Sequence, residues 1–210
     1  MIFDCDGVLV DTEEIANRVL AALLTEAGLQ TTFDDCMRDY RGRAMASVLA
    51  TASERLGAPL PFDVADRYYA EVKRIFAREL QPVPGVVAAL DRISLPSCVA
   101  SSGPHHKMEV TLRRTGLWER FEGRIFSASE VAAGKPAPDL FLHAARRMGF
   151  DPAMTAVVED SLPGVQAARA AGMRALAFAR HTDASVLAGA GGEPFGDMAE
   201  LPGLLCSPAA

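Results

Sequence analysis

The chain has 210 residues, of which 50% are hydrophobic and 23% are charged, and its net charge is -6. These ordinary values predict a soluble globular protein with one α/β domain and an insertion, or with two small domains. No apolar stretch approaches the roughly 18 residues of a membrane span, no signal peptide is recognisable, and no basic cluster is long enough for nucleic acid. We therefore expect neither a membrane nor a nucleic-acid partner, and a monomer by default.

The four cysteines lie far apart, at positions 5, 36, 98 and 206, and no two of them form a Cys-x-x-Cys pair. This spacing is typical of small buried residues in a reducing compartment, and it disfavours a disulfide framework or a structural zinc site. We expect a cytoplasmic protein.

The chain opens on a short apolar segment that carries Asp4 and is followed by Asp6 and Gly7. We interpret Met1–Cys5 as a strand, and because side chains alternate along a strand, the two aspartates should project to the same side. Converging carboxylates repel each other unless a cation lies between them. The pair suits Mg²⁺, which prefers oxygen ligands, and Gly7 permits a sharp turn out of the strand.

From about Glu14 to Gln81 the sequence is typical of helices only. Apolar residues recur at helical spacing from Ile15 until Gly28 ends the run. The other helices predicted here are Phe33–Tyr40, Ala44–Leu56 and Asp63–Leu80. We therefore expect an all-helical cap, inserted after the first strand and covering its carboxyl end.

Beyond Pro82, short apolar strands alternate with helices. The predicted strands are Ser97–Ala100, Arg124–Phe126, Thr155–Val158 and Arg174–Phe178. The predicted helices are Lys107–Thr115, Pro138–Met148 and Pro163–Ala171, and Gly189–Gly196 is predicted to be a mobile loop. Together with the first strand, this alternation indicates a Rossmann-like parallel sheet with helices on both faces. We predict an α/β core of residues 1–13 and 82–210 and a helical cap of residues 14–81.

Polar groups follow the predicted strands, at the end of the sheet where α/β proteins bind ligands. Ser101 and Ser102 open a helix, where they could hold an anion or act as an ordinary N-cap. Lys135 lies in a loop stiffened by prolines, as a fixed positive charge or a solvated lysine. Glu159 and Asp160 form a second acidic pair or the acidic start of a helix. Together these groups are what a metal-assisted phosphoryl transfer requires.

The chain resembles the haloacid dehalogenase superfamily in four motifs that occur in the family's order. They are Asp4-x-Asp6-Gly7-x-Leu9-x-Asp11, Ala100-Ser101-Ser102-Gly103, Gly134-Lys135-Pro136-x-Pro138-Asp139 and Val158-Glu159-Asp160-Ser161-x-x-Gly164. Within the superfamily it is similar to the subgroup of β-phosphoglucomutase, phosphoglycolate phosphatase and small sugar phosphatases, and most of all to 6-phosphogluconate phosphatase-like members. The helical insertion falls where that subgroup carries its cap.

The resemblance implies a mechanism in which Asp4 attacks phosphorus and forms an aspartyl-phosphate. Asp6 would protonate the leaving alkoxide and then take a proton from the attacking water. The cofactor would be Mg²⁺, bound by Asp4, by the backbone carbonyl of Asp6 and by Asp160, with Glu159 nearby.

The same resemblance assigns the binding of the phosphoryl oxygens to Ser101, to Lys135 and to backbone amides near Asp6 and Ser102. Arg41 and Arg43 lie in a break between two predicted helices of the cap, from which a loop could reach the site. Arginine suits bidentate binding of carboxylate or phosphate, so an acidic sugar phosphate is a reasonable expectation. The two arginines could equally be solvated residues at helix ends.

The sequence suggests three possible functions. The leading hypothesis is a phosphatase that hydrolyses a small phosphorylated metabolite. The alternative is a β-phosphoglucomutase-like hexose-phosphate mutase; that enzyme has a histidine four residues beyond the Thr of its first motif, where this chain has Ala16, which favours hydrolysis. A non-catalytic phosphate-binding protein would require a broken catalytic set, and every expected position is filled here.

Overall fold

In the computed structural model, which describes residues 1–40, 43 and 45–206, the chain divides into two units. Met1–Asp11 and the chain from Gln81 onward form the first unit, and Thr12–Leu80 forms the second. Among the described residues, no helix is both long enough and apolar enough to span a bilayer.

Parallel strands form the sheet of the first unit. They are β1 (Ile2–Phe3), β2 (Cys98–Ser101), β3 (Ile125–Ser127), β4 (Ala156–Glu159), β5 (Arg174–Phe178) and β6 (Glu193–Phe195). Their order in the sheet is β3-β2-β1-β4-β5-β6, and every neighbouring pair is parallel. This is the strand order of the doubly wound α/β fold, in which the winding reverses next to β1. The predicted fold class is confirmed.

Helices follow the strands in the first unit and make up the second. The second unit contains α1 (Thr12–Glu26), α2 (Phe33–Asp39), α3 (Met45–Leu56) and α4 (Val64–Glu79). The first unit contains α5 (Val86–Arg92), α6 (His105–Arg114), α7 (Trp118–Phe121), α8 (Asp139–Met148), α9 (Leu162–Ala170), α10 (Ala184–Gly189) and α11 (Leu201–Cys206). Helices α5, α7, α10 and α11 were not predicted from the sequence, since each is at most seven residues long and shows little periodicity.

The two residues of β1 face opposite layers of helices. Ile2 belongs to an apolar cluster with Phe141 of α8 and Val165 of α9, whereas Phe3 packs against Phe121 of α7 with ring centroids 6.0 Å apart. Both β1 side chains are fully buried. Helices therefore cover both faces of the sheet, as the apolar strands predict.

The second unit is built on a pair of amphipathic helices, α1 and α4. The buried face of α1 includes Leu20, Leu23 and Leu24, at the spacing of one helix face. Helix α2 begins at a reciprocal capping box in which Thr32 and Asp35 bond each other's backbone amides.

The first strand is shorter than predicted, because β1 ends at Phe3. The chain then leaves the sheet in a tight turn, in which the amide of Leu9 donates to the carbonyl of Cys5 at 2.9 Å. The prediction that the strand extends to Cys5 is therefore wrong. The amide of Asp4 still donates to the carbonyl of Val158 in β4 at 2.9 Å, whereas Asp6 lies in the turn.

The segment Gly189–Gly196, predicted as a mobile loop, contains the strand β6. Phe195 of β6 pairs with Phe178 of β5, and the two rings lie 5.3 Å apart. The prediction is wrong because a three-residue strand with Pro194 at its centre shows no alternation. A proline is tolerated there because β6 lies at the sheet edge and its nitrogen need not donate to a further strand.

Candidate active site

Polar side chains collect where three neighbouring strands end. Asp4 directly follows β1, Ser101 is the last residue of β2, and Glu159 is the last residue of β4, with Asp160 next to it. All four residues are less than 9% exposed. Since β1 lies between β2 and β4 in a parallel sheet, their carboxyl ends meet at one edge.

A buried ammonium group joins two of these strand ends. Lys135, in the loop between β3 and α8, donates from Nζ to Asp4 Oδ1 at 2.7 Å and to Glu159 Oε1 at 2.5 Å. The Lys135 side chain is 6% exposed, and its Nζ lies 4.9 Å from the centre of the Phe141 ring. The sequence-predicted lysine is therefore held against the sequence-predicted nucleophile.

The electrostatics of this cluster follow from two carboxylates that share one ammonium. Burial raises the pKa of Asp4 to about 7; the ammonium of Lys135 acts against the shift, and the carboxylates of Glu159 and Asp6 reinforce it. Burial also acts to lower the pKa of Lys135, but the neighbouring carboxylates outweigh it and raise that pKa above its ordinary value. Lys135 thus remains a cation.

Three carboxylates come close enough to share one metal ion. Asp4, Glu159 and Asp160 each offer an oxygen, and the three oxygens lie within 4.8 Å of one another. Gly7 has a φ of +77° and lies against Asp160, so a Cβ at this position would overlap the Asp160 carboxylate. An all-oxygen, largely buried site of this kind fits a hard divalent cation such as Mg²⁺.

Glu159 has hydrogen-bond partners at both of its carboxylate oxygens. Besides Lys135 at Oε1, its Oε2 accepts from the amide and the hydroxyl of Ser161, at 2.9 and 2.8 Å. Ser161 in turn caps α9. Because both of its oxygens are occupied, Glu159 fixes Lys135 in place and ties the end of β4 to the start of α9.

The turn after β2 holds the two predicted serines differently. The hydroxyl of Ser101 is buried and accepts from the amide of Gly103 at 3.2 Å, whereas Ser102 is exposed. A Cβ on Gly103 would lie 3.6 Å from Ser101 Oγ and 3.7 Å from Asp6 Oδ2. Ser101 and the Asp6 carboxylate thus lie close to the same turn.

Lys107 is a site residue that we did not select from the sequence. Its Nζ donates to Asp6 Oδ2 at 2.7 Å. Burial alone would lower the pKa of Lys107, but the Asp6 carboxylate outweighs this effect and raises it. One signal was available: the chain contains three lysines, and Lys107 falls on the helix that follows the second motif.

The structure describes one of the two predicted cap arginines. Arg41 lies outside the described residues. Arg43 is exposed, and its guanidinium donates to the hydroxyls of Ser47 and Thr51, at 2.7 and 3.0 Å, and to the Asp39 carbonyl at 3.2 Å. These contacts fit the helix-end alternative for Arg43, whose role in substrate binding stays a prediction.

The sequence is similar to that of known proteins. The family described as haloacid dehalogenase-like hydrolase matches residues 1–172. The chain is 32% identical, over 179 residues, to 6-phosphogluconate phosphatase of Escherichia coli; the match covers 85% of this chain and 81% of that protein.

Two solved structures have the same fold. A conserved haloacid dehalogenase-like protein of unknown function from Agrobacterium tumefaciens superposes with a TM-score of 0.90 at 37% identity, covering 97% of this chain and 96% of that one. A haloacid dehalogenase-family hydrolase from Deinococcus radiodurans, whose structure contains bound phosphate and sodium, superposes with a TM-score of 0.84 at 29% identity. This match covers 99% of this chain and 97% of that one. This chain therefore belongs to the haloacid dehalogenase-like hydrolases.

Proposed function

We propose that this hydrolase is a Mg²⁺-dependent phosphatase that cleaves a small phosphate monoester, a sugar or sugar-acid phosphate, through an aspartyl-phosphate. One observation carries the proposal. Asp4 contacts the ammonium of Lys135 at 2.7 Å, and it also offers an oxygen within 4.8 Å of an oxygen of Asp160. A carboxylate close to a fixed cation and a metal site can act as a nucleophile toward a phosphoryl group, because the negative charges of both reactants are offset.

Two transfers account for the chemistry. In the first, a carboxylate oxygen of Asp4 forms a bond to phosphorus, the ester P–O bond breaks, and the leaving alkoxide takes a proton from Asp6. In the second, Asp6 accepts a proton from a water molecule, whose oxygen forms a bond to phosphorus. The bond between phosphorus and the Asp4 oxygen breaks, which frees inorganic phosphate and the Asp4 carboxylate. Ser101 and Lys135 hold the oxygens of the transferring group, and the backbone near Ser102 supplies further donors.

The residues present fit the metal. Asp4, Asp160 and the backbone carbonyl of Asp6 would hold Mg²⁺, with Glu159 beside them. Gly7 leaves room for the Asp160 carboxylate itself. When bound, the ion neutralises charge that accumulates on the phosphoryl oxygens.

The substrate class is inferred from the relatives. The Escherichia coli relative is named for a sugar-acid phosphate, and the Deinococcus radiodurans structure holds phosphate. We propose that the helical unit Thr12–Leu80 acts as the cap that selects the substrate, with Arg43 among its candidate contacts. Since Cys5, Cys36 and Cys98 are buried free thiols, a reducing cytoplasm suits the protein.

A substrate screen tests the function. Purified protein is incubated with phosphorylated sugars, sugar acids and glycolate, with Mg²⁺ or with EDTA, and released phosphate is measured. We expect metal-dependent release from one or a few esters and no release by Asp4→Asn, which keeps the shape of the side chain but loses the nucleophile. Wild-type turnover by that variant would overturn the mechanism. Conversion between hexose 1- and 6-phosphates without phosphate release would identify a mutase instead.

A further inference from the structure

We propose that Lys107 is a positioning residue that fixes the Asp6 carboxylate for proton transfer to the leaving group. The inference rests on the proposed function, because it concerns the group that protonates the alkoxide. It adds to the four motifs a residue that belongs to none of them.

The first observation is the contact itself. Lys107 Nζ donates to Asp6 Oδ2 at 2.7 Å, and among the described residues it is the one side-chain donor recorded for that carboxylate. The other oxygen, Asp6 Oδ1, is buried and has no hydrogen-bond partner within the described part of the chain. A single bond from Lys107 therefore sets the orientation of the carboxylate.

The second observation is the place of Lys107 on its helix. It is the third residue of α6, whose first turn contains no acidic side chain. The amino-terminal turn of a helix favours carboxylates and disfavours cations, because the backbone amides carry partial positive charge. The helix dipole therefore gives no reason for a cation here, whereas the contact with Asp6 does.

The third observation is that three groups lie close to Gly103. A Cβ on Gly103 would lie 3.5 Å from Lys107 Cδ, 3.6 Å from Ser101 Oγ and 3.7 Å from Asp6 Oδ2. The turn between β2 and α6 therefore brings the lysine stem, the phosphate-binding hydroxyl and the acid together. Displacing a positioned catalytic group by as little as about 1 Å can cost about a hundredfold in rate.

The inference predicts a dependence on the leaving group. An alkyl or sugar alkoxide is a strong base and needs the proton from Asp6 as the P–O bond breaks. The p-nitrophenolate ion is a weak base and leaves without it. If Asp6 is no longer held in one orientation, the first transfer should become slower with a sugar phosphate. Its rate with p-nitrophenyl phosphate should change little.

The experiment compares kcat/KM for the best sugar phosphate of the screen with kcat/KM for p-nitrophenyl phosphate, since this constant reports the first transfer. The two values are measured on one preparation, so their ratio does not depend on the fraction of folded enzyme. The variants are Lys107→Met, Lys107→Gln and Lys107→Arg. The control is Arg113→Met, which removes a positive charge from the exposed, carboxyl-terminal part of the same helix.

For Lys107→Met we expect kcat/KM for the sugar phosphate to fall by about tenfold to a hundredfold, with a change below about threefold for p-nitrophenyl phosphate. Lys107→Arg and Lys107→Gln should recover part of the ratio, and Arg113→Met should leave it unchanged. Equal losses on both substrates, or none, would overturn the positioning role. If wild-type protein cleaves neither ester, the proposed function fails first, and the role of Lys107 fails with it.

Discussion

Gly164 of α9 lies against the carboxylate of Glu159, and a Cβ at position 164 would overlap that carboxylate. Glu159 is fully buried and cannot move aside without releasing Lys135 and Ser161. The glycine is therefore required by the close approach of a helix to an acidic side chain.

Gly164→Ala should destabilise the protein by about 1–3 kcal/mol, the usual cost of forcing extra volume into a packed site. Helix propensity alone predicts the opposite, a gain of up to about 1 kcal/mol for alanine in a helix interior. Urea unfolding measures the difference. The matched control is Gly189→Ala in α10, where a Cβ meets nothing within 4 Å; equal stability of the two variants would refute the close-packing explanation.

Lys135→Met should be strongly destabilising, by about 3–5 kcal/mol, because it leaves two buried carboxylates without their cation. Thermal and urea unfolding in EDTA measure the loss. Adding Glu159→Gln should restore part of the stability, since it removes one of the two carboxylates. The control is Lys73→Met, at an exposed lysine. A loss of stability of the same size in this variant would contradict the explanation by unpaired buried carboxylates.

The raised pKa of Asp4 predicts how stability depends on pH in the metal-free protein. Asp4 titrates near 7 in the folded state and at an ordinary value of 3.8 when unfolded, so the folded state binds more protons between these values. The contribution of Asp4 to stability is therefore fully present below about pH 4 and is lost as the pH rises to about 7.

Unfolding of the wild type and of Asp4→Asn, both in EDTA, isolates this contribution. The free energy of unfolding of the wild type, minus that of the variant, should decline across the interval from about pH 4 to about pH 7. A difference that instead rises with pH would mean that Lys135 stabilises the ionised carboxylate more than burial destabilises it.

Magnesium should stabilise the folded protein, because three carboxylates offer oxygens to one position in the native state only. At about 100 times its dissociation constant a ligand adds about 2.7 kcal/mol, which is measured as a rise in Tm. Asp160→Asn should abolish most of this rise, whereas Arg113→Met, remote from the three carboxylates, should keep it. A full Mg²⁺ response in Asp160→Asn would place the metal elsewhere.

The fold class followed from the sequence because strand and helix patterns are local. Apolar runs such as Ala156–Glu159 and amphipathic repeats such as α1 have periods that the sequence shows directly. The strand β6 escaped prediction because its burial depends on the ring of Phe178 beside Phe195, a contact between distant parts of the chain.

Part of the candidate site could likewise be predicted from the sequence, and part could not. The sequence by itself determined which residue types end each strand, and in a parallel sheet this is enough to expect Asp4, Ser101 and Glu159 at one edge.

Only the tertiary structure decided which cation faces which carboxylate. Lys135 binds Asp4, 131 residues away in the sequence, and Glu159, 24 residues away. Lys107 binds Asp6, which is 101 residues away. No local pattern encodes such pairings, because they depend on where two loops and a helix end in space rather than on the residues beside them in the chain.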